Sequence, residues 1–92
     1  MTLKELGTVL EISVERTRTN YEDERQGLTS GWSCHIPEGR IFDPTDQHFL
    51  RHAIGFGKTE KQARHNLAQW LRGSVLSVED CGIFTIPQTL TA

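Results

Sequence analysis

The sequence predicts an α+β fold, a small antiparallel β-sheet with one principal amphipathic α-helix packed on it. Three observations lead there. From Glu60 to Arg72 there is no Pro, Gly or β-branched residue, and Ala63, Leu67, Trp70 and Leu71 recur at helical spacing. Short runs around residues 10–14, 32–36 and 74–86 alternate or cluster strand-forming side chains between turn residues. The chain has 92 residues, 36% apolar and 24% charged, which suits one domain over 1–92 with a modest core.

Leu3, Leu6, Val9 and Leu10 form one face of a short helix starting after Thr2, and Gly7 weakens it. Leu10, Ile12 and Val14 then alternate with Glu11, Ser13 and Glu15, the pattern of a strand. Residues 17–30 are polar and nearly core-free, and read as a long exposed loop or hairpin tip. Trp32, Cys34 and Ile36 alternate with Ser33 and His35 in a half-buried strand. It stops at Pro37-Glu38-Gly39, and Arg40–Phe42 continue it after a bulge or turn.

Residues 43–54 allow two readings. Asp43-Pro44 with Asp46 can start a helix carrying Phe49, Leu50, Ala53 and Ile54 in register, with Gly55 as its stop. The same stretch also reads as a turn followed by a strand from His48 to Ile54. Gly55 and Gly57 then make a tight turn, Thr59 caps the main helix, and Gly73 closes it after Arg72. Ser74–Val78 and Cys81–Ile86 are two strands around Glu79-Asp80, and residues 87–92 form a frayed tail after Pro87.

Charge is distributed unevenly although the net is only −2. Residues 1–39 carry a net of −3, residues 40–72 a net of +3 and residues 73–92 a net of −2. A two-signed surface of this kind suits contact with a protein and a phosphate backbone together. Lys58, Lys61, Arg64 and His65 crowd the polar side of the main helix near its start, where N–H groups and the dipole favour anions. Arg40 and Arg51 add to this basic middle, and the six are the candidate nucleic-acid or partner contacts. Tyr21, Glu22, Asp23 and Glu24 are the candidate acidic-loop contact, with Tyr21 as its aromatic. Trp70, in step with Leu67 and Leu71, is expected in the core.

Neither a metal nor another cofactor is expected. Cys34 and His35 are adjacent and face opposite sides of a strand, and no Cys-x-x-Cys or His-Glu-x-x-His spacing exists. The same alternation separates Cys34, His35 and Glu38 as a nucleophile, base and acid. Gly55-x-Gly57-Lys58-Thr59 lacks the four-residue gap of a phosphate-binding loop. An enzyme with a small-molecule substrate is therefore not expected. No apolar run approaches the ~18 residues of a membrane span, and the N-terminus lacks the layout of a signal peptide. The chain is expected in the cytoplasm, with Cys34 and Cys81 as free thiols and a disulfide between them as the alternative.

Gly55-x-Gly57-x-Thr59-x-Lys61-x-Ala63-Arg64-x-x-Leu67-Ala68 resembles the end of a double-stranded-RNA-binding domain, where G-x-G-x-S-K-K-x-A-K-x-x-A-A is typical. Glu60 stands where that family has the first lysine of its pair, and the Gly-Pro-x-His loop is absent. The resemblance implies a helix, three antiparallel strands and a final helix, with Lys58, Lys61 and Arg64 on RNA phosphates. It favours the strand for residues 48–54. The stretch Pro37-Glu38 followed by Gly57-x-Thr59-x-x-x-Ala63-x-x-Asn66 is also similar to HicB antitoxins, which have a related fold and bind a toxin. In length and overall character the whole chain resembles type I-F anti-CRISPR proteins, small inhibitors made by bacteriophages. That likeness implies binding to a CRISPR RNA-guided surveillance complex, its Cas subunits and guide RNA, and obstruction of target-DNA binding.

Overall fold

A computed structural model describes residues 1–19, 29–42 and 50–92. Among them the order is α1 (Leu3–Leu6), β1 (Ser13–Thr19), β2 (Thr29–Phe42), β3 (Leu50–Gly57), α2 (Glu60–Leu71), β4 (Val75–Val78) and β5 (Gly82–Thr85). The architecture is the expected α+β one, an antiparallel five-stranded sheet with one main helix laid across it.

The 14-residue β2 organises the sheet because both of its edges are paired. β3 runs along one edge, while β1 pairs with its first half and β4 with Gly39–Ile41 on the other. β5 extends the sheet from β4. Between His35 and Arg40 the register with β3 shifts, so Ile36–Gly39 oppose Ala53 alone. This bulge carries Pro37, which cannot donate to a ladder, and Glu38 at φ 62°.

Side chains opposite one another across a ladder share a face. One face therefore carries the rows Val14–Cys34–Gly55, Arg16–Trp32–Gly57 and Arg51–Ile41–Leu76–Phe84. This face takes α2. Ala63, Leu67, Ala68 and Leu71 of the helix are buried against Cys34, Ile41, Ala53 and Leu76 in one core that also holds Leu3, Leu6, Leu10, Ile36, Val78, Ile86 and Leu90. The opposite face carries the rows Ser13–His35–Ile54, Glu15–Ser33–Phe56 and His52–Arg40–Ser77–Ile83. Among the described residues no helix covers it.

Several expectations need correction. The segment 17–30, expected as a long exposed loop or hairpin tip, is strand at both ends of an antiparallel pair: Thr17, Arg18 and Thr19 pair with Gly31, Ser30 and Thr29. Ladder bonds satisfy the backbone whatever the polarity of the side chains, and Thr is a good strand former. Residues 20–28 of that segment lie outside the described ones. The tight turn at Gly55–Gly57 is in fact the end of β3. A Cβ on Gly55 would lie 2.4 Å from the Leu67 nitrogen, and one on Gly57 would lie 2.6 Å from the Ala63 nitrogen. These glycines let the strand touch the helix backbone. The strand reading of 48–54 holds for Leu50–Ile54, and residues 43–49 lie outside the described ones.

Residues 87–92 are not frayed. Leu90 is 0% exposed. The Leu3 N–H donates to the Thr91 carbonyl at 2.8 Å, and the Thr91 N–H donates to the Met1 carbonyl at 2.9 Å. Arg72 Nε donates to the Leu90 carbonyl at 2.6 Å. A single apolar residue with local backbone partners is enough to dock a polar tail, and no periodic pattern announces it. Cys34 is a buried free thiol and Cys81 an exposed one.

Candidate nucleic-acid interface

The basic edge is built at the junction of β3 and α2. Thr59 caps the helix: its Oγ1 accepts from the Gln62 N–H at 3.1 Å. Gln62 Oε1 reaches back to accept from the Lys58 N–H at 2.9 Å, a capping box extended by one residue. Asn66 Nδ2 donates to the Phe56 carbonyl and ties the helix to the strand one turn further on. The connection from β3 into α2 is thus fixed by side-chain hydrogen bonds on both flanks, and the lysine backbone at 58 has a defined place.

Lys58, Lys61 and His65 are exposed. Lys61 and His65 stand four residues apart on one helix face, separated by about 6 Å of rise. Among the described residues no carboxylate lies within ion-pair distance of any of the three. Arg64 differs. Its Nη2 lies 3.2 Å from Glu60 Oε1, an i, i+4 pair on the exposed surface. Such a pair contributes only about 0.3–0.5 kcal/mol, so the guanidinium can exchange partners at little cost. Glu60 also places a carboxylate at the first turn, where it complements the helix dipole from within the chain. The helix start is consequently less open to a foreign anion than the lysines beside it. A shallow groove at this edge is lined by Glu60, Lys61, Arg64 and Ala92.

The other two predicted cations do not join this edge. The Arg51 guanidinium stacks 3.9 Å from the centre of the Trp70 ring at the far end of α2. Trp70 itself is 50% exposed, which corrects its expected place in the core. The buried arc of α2 runs from Ala63 through Leu67 and Leu71 to Ala68, and residue 70 falls just outside it on the Ala63 side, so the ring is covered by an arginine rather than by the core. Arg40 lies on the open sheet face, with Nη1 donating to the Gly39 carbonyl at 2.9 Å. Tyr21, Glu22, Asp23 and Glu24 lie outside the described residues.

Cys34 and His35 are on opposite faces, as the alternation predicts, and burial pushes the Cys34 thiol up from its ordinary value. Among the described residues no three His, Cys, Asp or Glu side chains converge as a metal site. No helix of the described residues is long and apolar enough to cross a membrane.

Sequence reasoning passed over the sheet face that no described helix covers. Phe42 and Phe56 are 44% and 41% exposed there, with His35, His52 and Arg40 between them. With β3 established as a strand, Ala53, Gly55 and Gly57 line up as the small-residue face that meets the helix. That leaves His52, Ile54 and Phe56 to the other side. The chain matches no protein-family model, no curated protein and no solved structure, so any functional reading rests on these residues and their geometry.

Proposed function

We propose that this protein is a non-catalytic, phage-type inhibitor that binds a CRISPR RNA-guided surveillance complex and blocks its access to target DNA. The observation that carries the reading is the edge formed by Lys58, Lys61 and His65, exposed, free of acid partners among the described residues and held on a fixed strand–helix junction. Surveillance complexes hold their guide through its backbone, so a second polyanion is available at the surface of a basic channel. The lysines and His65 meet guide-RNA phosphates, with Arg64 released from Glu60 to join them. The acidic stretch Tyr21–Glu24 meets basic Cas side chains that would otherwise hold DNA. The partners are protein and RNA, the site of action is the cytoplasm of a bacterial host, and neither a cofactor nor a membrane takes part.

The test is a mobility-shift measurement with a purified type I-F surveillance complex and labelled target duplex. Equimolar protein added first is expected to abolish the shift, and the Lys61→Glu/His65→Glu variant to need at least a tenfold excess. Unimpaired DNA binding at a large excess of the wild-type protein would refute the proposal.

A second reading is favoured by one observation. The order α1-β1-β2-β3-α2 is one of helix, three antiparallel strands and helix, which supports the double-stranded-RNA-binding resemblance, although α1 is a single turn and β4 and β5 follow α2 in the same sheet. Under this reading the protein alone binds an RNA duplex, with affinity falling steeply as salt rises. Under the first, the free protein has little affinity for duplex RNA.

A further inference from the structure

We propose that the depression at the β2 bulge, on the sheet face away from α2, is a binding site for an unpaired nucleotide of single-stranded RNA. The site lies apart from the Lys58–His65 edge and stands or falls separately from the inhibitor reading. It is a shallow open hollow of about 520 Å³, a volume within the range of small-ligand sites, and its walls include His35, Glu38, Arg40, His52, Ile54 and Phe56.

Three features of these walls point to the same ligand. The His35 Nδ1 atom is buried and has no hydrogen-bond partner among the described residues, a state that buried polar atoms seldom keep without a reason. Phe56 lies 41% exposed beside it, and every nucleobase has a π-face to lay on such a ring. Among the described residues Arg40 gives one donor to the Gly39 carbonyl, and its other four have no partner there and suit a phosphate. The acid in the hollow fits as well. Glu38 is held at φ 62° by the bulge, and a carboxylate accepts well from the exocyclic amino group of cytosine or adenine. Uracil offers no such donor.

Each residue then has one part. Phe56 stacks on the base, Glu38 accepts from its amino group and Arg40 pairs with the phosphate. A small rotation of the His35 ring brings the buried Nδ1 out to the ribose 2′-hydroxyl, which serves as donor or acceptor and distinguishes RNA from DNA. A second exposed ring, Phe42, lies further along the same face and offers a platform for a neighbouring base.

The experiment is fluorescence anisotropy of the full chain with labelled six-nucleotide probes: oligo-C, oligo-A and oligo-U RNA, and oligo-C DNA. Oligo-C and oligo-A RNA are expected to bind more tightly than oligo-U RNA and than the DNA probe. Phe56→Ala should weaken the C and A probes about tenfold. Phe56→Tyr should retain their binding, Glu38→Gln should remove the preference over oligo-U, and Lys61→Glu should change little. Because Phe56 is half-exposed, the variant is expected to fold, and a thermal melt verifies it. Absence of binding to all RNA probes would overturn the site. So would wild-type affinity in a folded Phe56→Ala variant, or equal affinity for the RNA and DNA probes.

Discussion

Replacing Gly55 by alanine tests the strand–helix contact on which the fold and the basic edge both depend. Alanine would normally help a strand, because glycine loses more backbone freedom on folding, by about 0.5–1 kcal/mol. Here the added Cβ would lie 2.4 Å from the Leu67 nitrogen, 2.7 Å from the Ala63 oxygen and 2.9 Å from the Leu67 Cα. All three are backbone atoms, so no side-chain rotation relieves the clash. Ordinary contact begins at 3.4 Å, so α2 must retreat by about 1 Å. A retreat of that size forfeits roughly a quarter to a half of the dispersion energy under Ala63, Leu67 and Leu71, which are fully buried. Overpacking alone costs about 1–3 kcal/mol, and with the opened gap the net loss is about 3 kcal/mol. For a domain of this size that lowers Tm by roughly 12–24 °C. Urea unfolding followed by circular dichroism measures the first quantity and a thermal scan the second. Phe56→Ala, one position along and on the opposite face, is the control and should cost less than about 1 kcal/mol. A Gly55→Ala protein as stable as wild type would show that the helix does not sit on β3 at this distance.

Three further outcomes are expected. Leu90→Ala should destabilise the protein by about 2–5 kcal/mol in the same urea assay, because the tail is part of the core; no effect would restore the frayed tail. A thiol reagent should modify Cys81 within the mixing time and Cys34 only at the rate of unfolding, since one is exposed and the other buried. Burial raises the Cys34 pKa above its ordinary value of 9.0, so above about pH 9 the unfolded chain releases a proton that the folded chain keeps. Stability is therefore full below that pH and falls as pH rises towards the folded pKa. Cys34→Ala should flatten this alkaline decline in urea midpoints measured from pH 8 to 10.5, and an unchanged slope would contradict it.

The local level of the fold is legible in the residues alone. Periodicity places α2, because a 3.6-residue repeat with a Thr cap and a Gly stop has one economical solution. Alternation places the middle of β2 and, with Leu10–Val14, the approach to β1. Lys58, Lys61, Arg64 and His65 were legible as a basic set at the helix start, and Lys61 and His65 lie on the polar arc of a helix whose apolar arc is clear.

Tertiary structure decided everything that depends on what lies opposite a residue. Gly55 and Gly57 read locally as a turn, and only α2 lying across them makes them a contact surface. Leu90 has no periodic company, and only the core closed by Leu3 and Arg72 gives it a place. Arg64 and Arg51 looked equivalent to the lysines, but one faces Glu60 and the other Trp70. The open sheet face was hidden for a related reason: a strand's alternation marks two sides without saying which one receives the helix. The small residues of β3 answer that only once β3 is known to be a strand, because the closeness of two backbones is a property of the pair and is carried by neither segment alone.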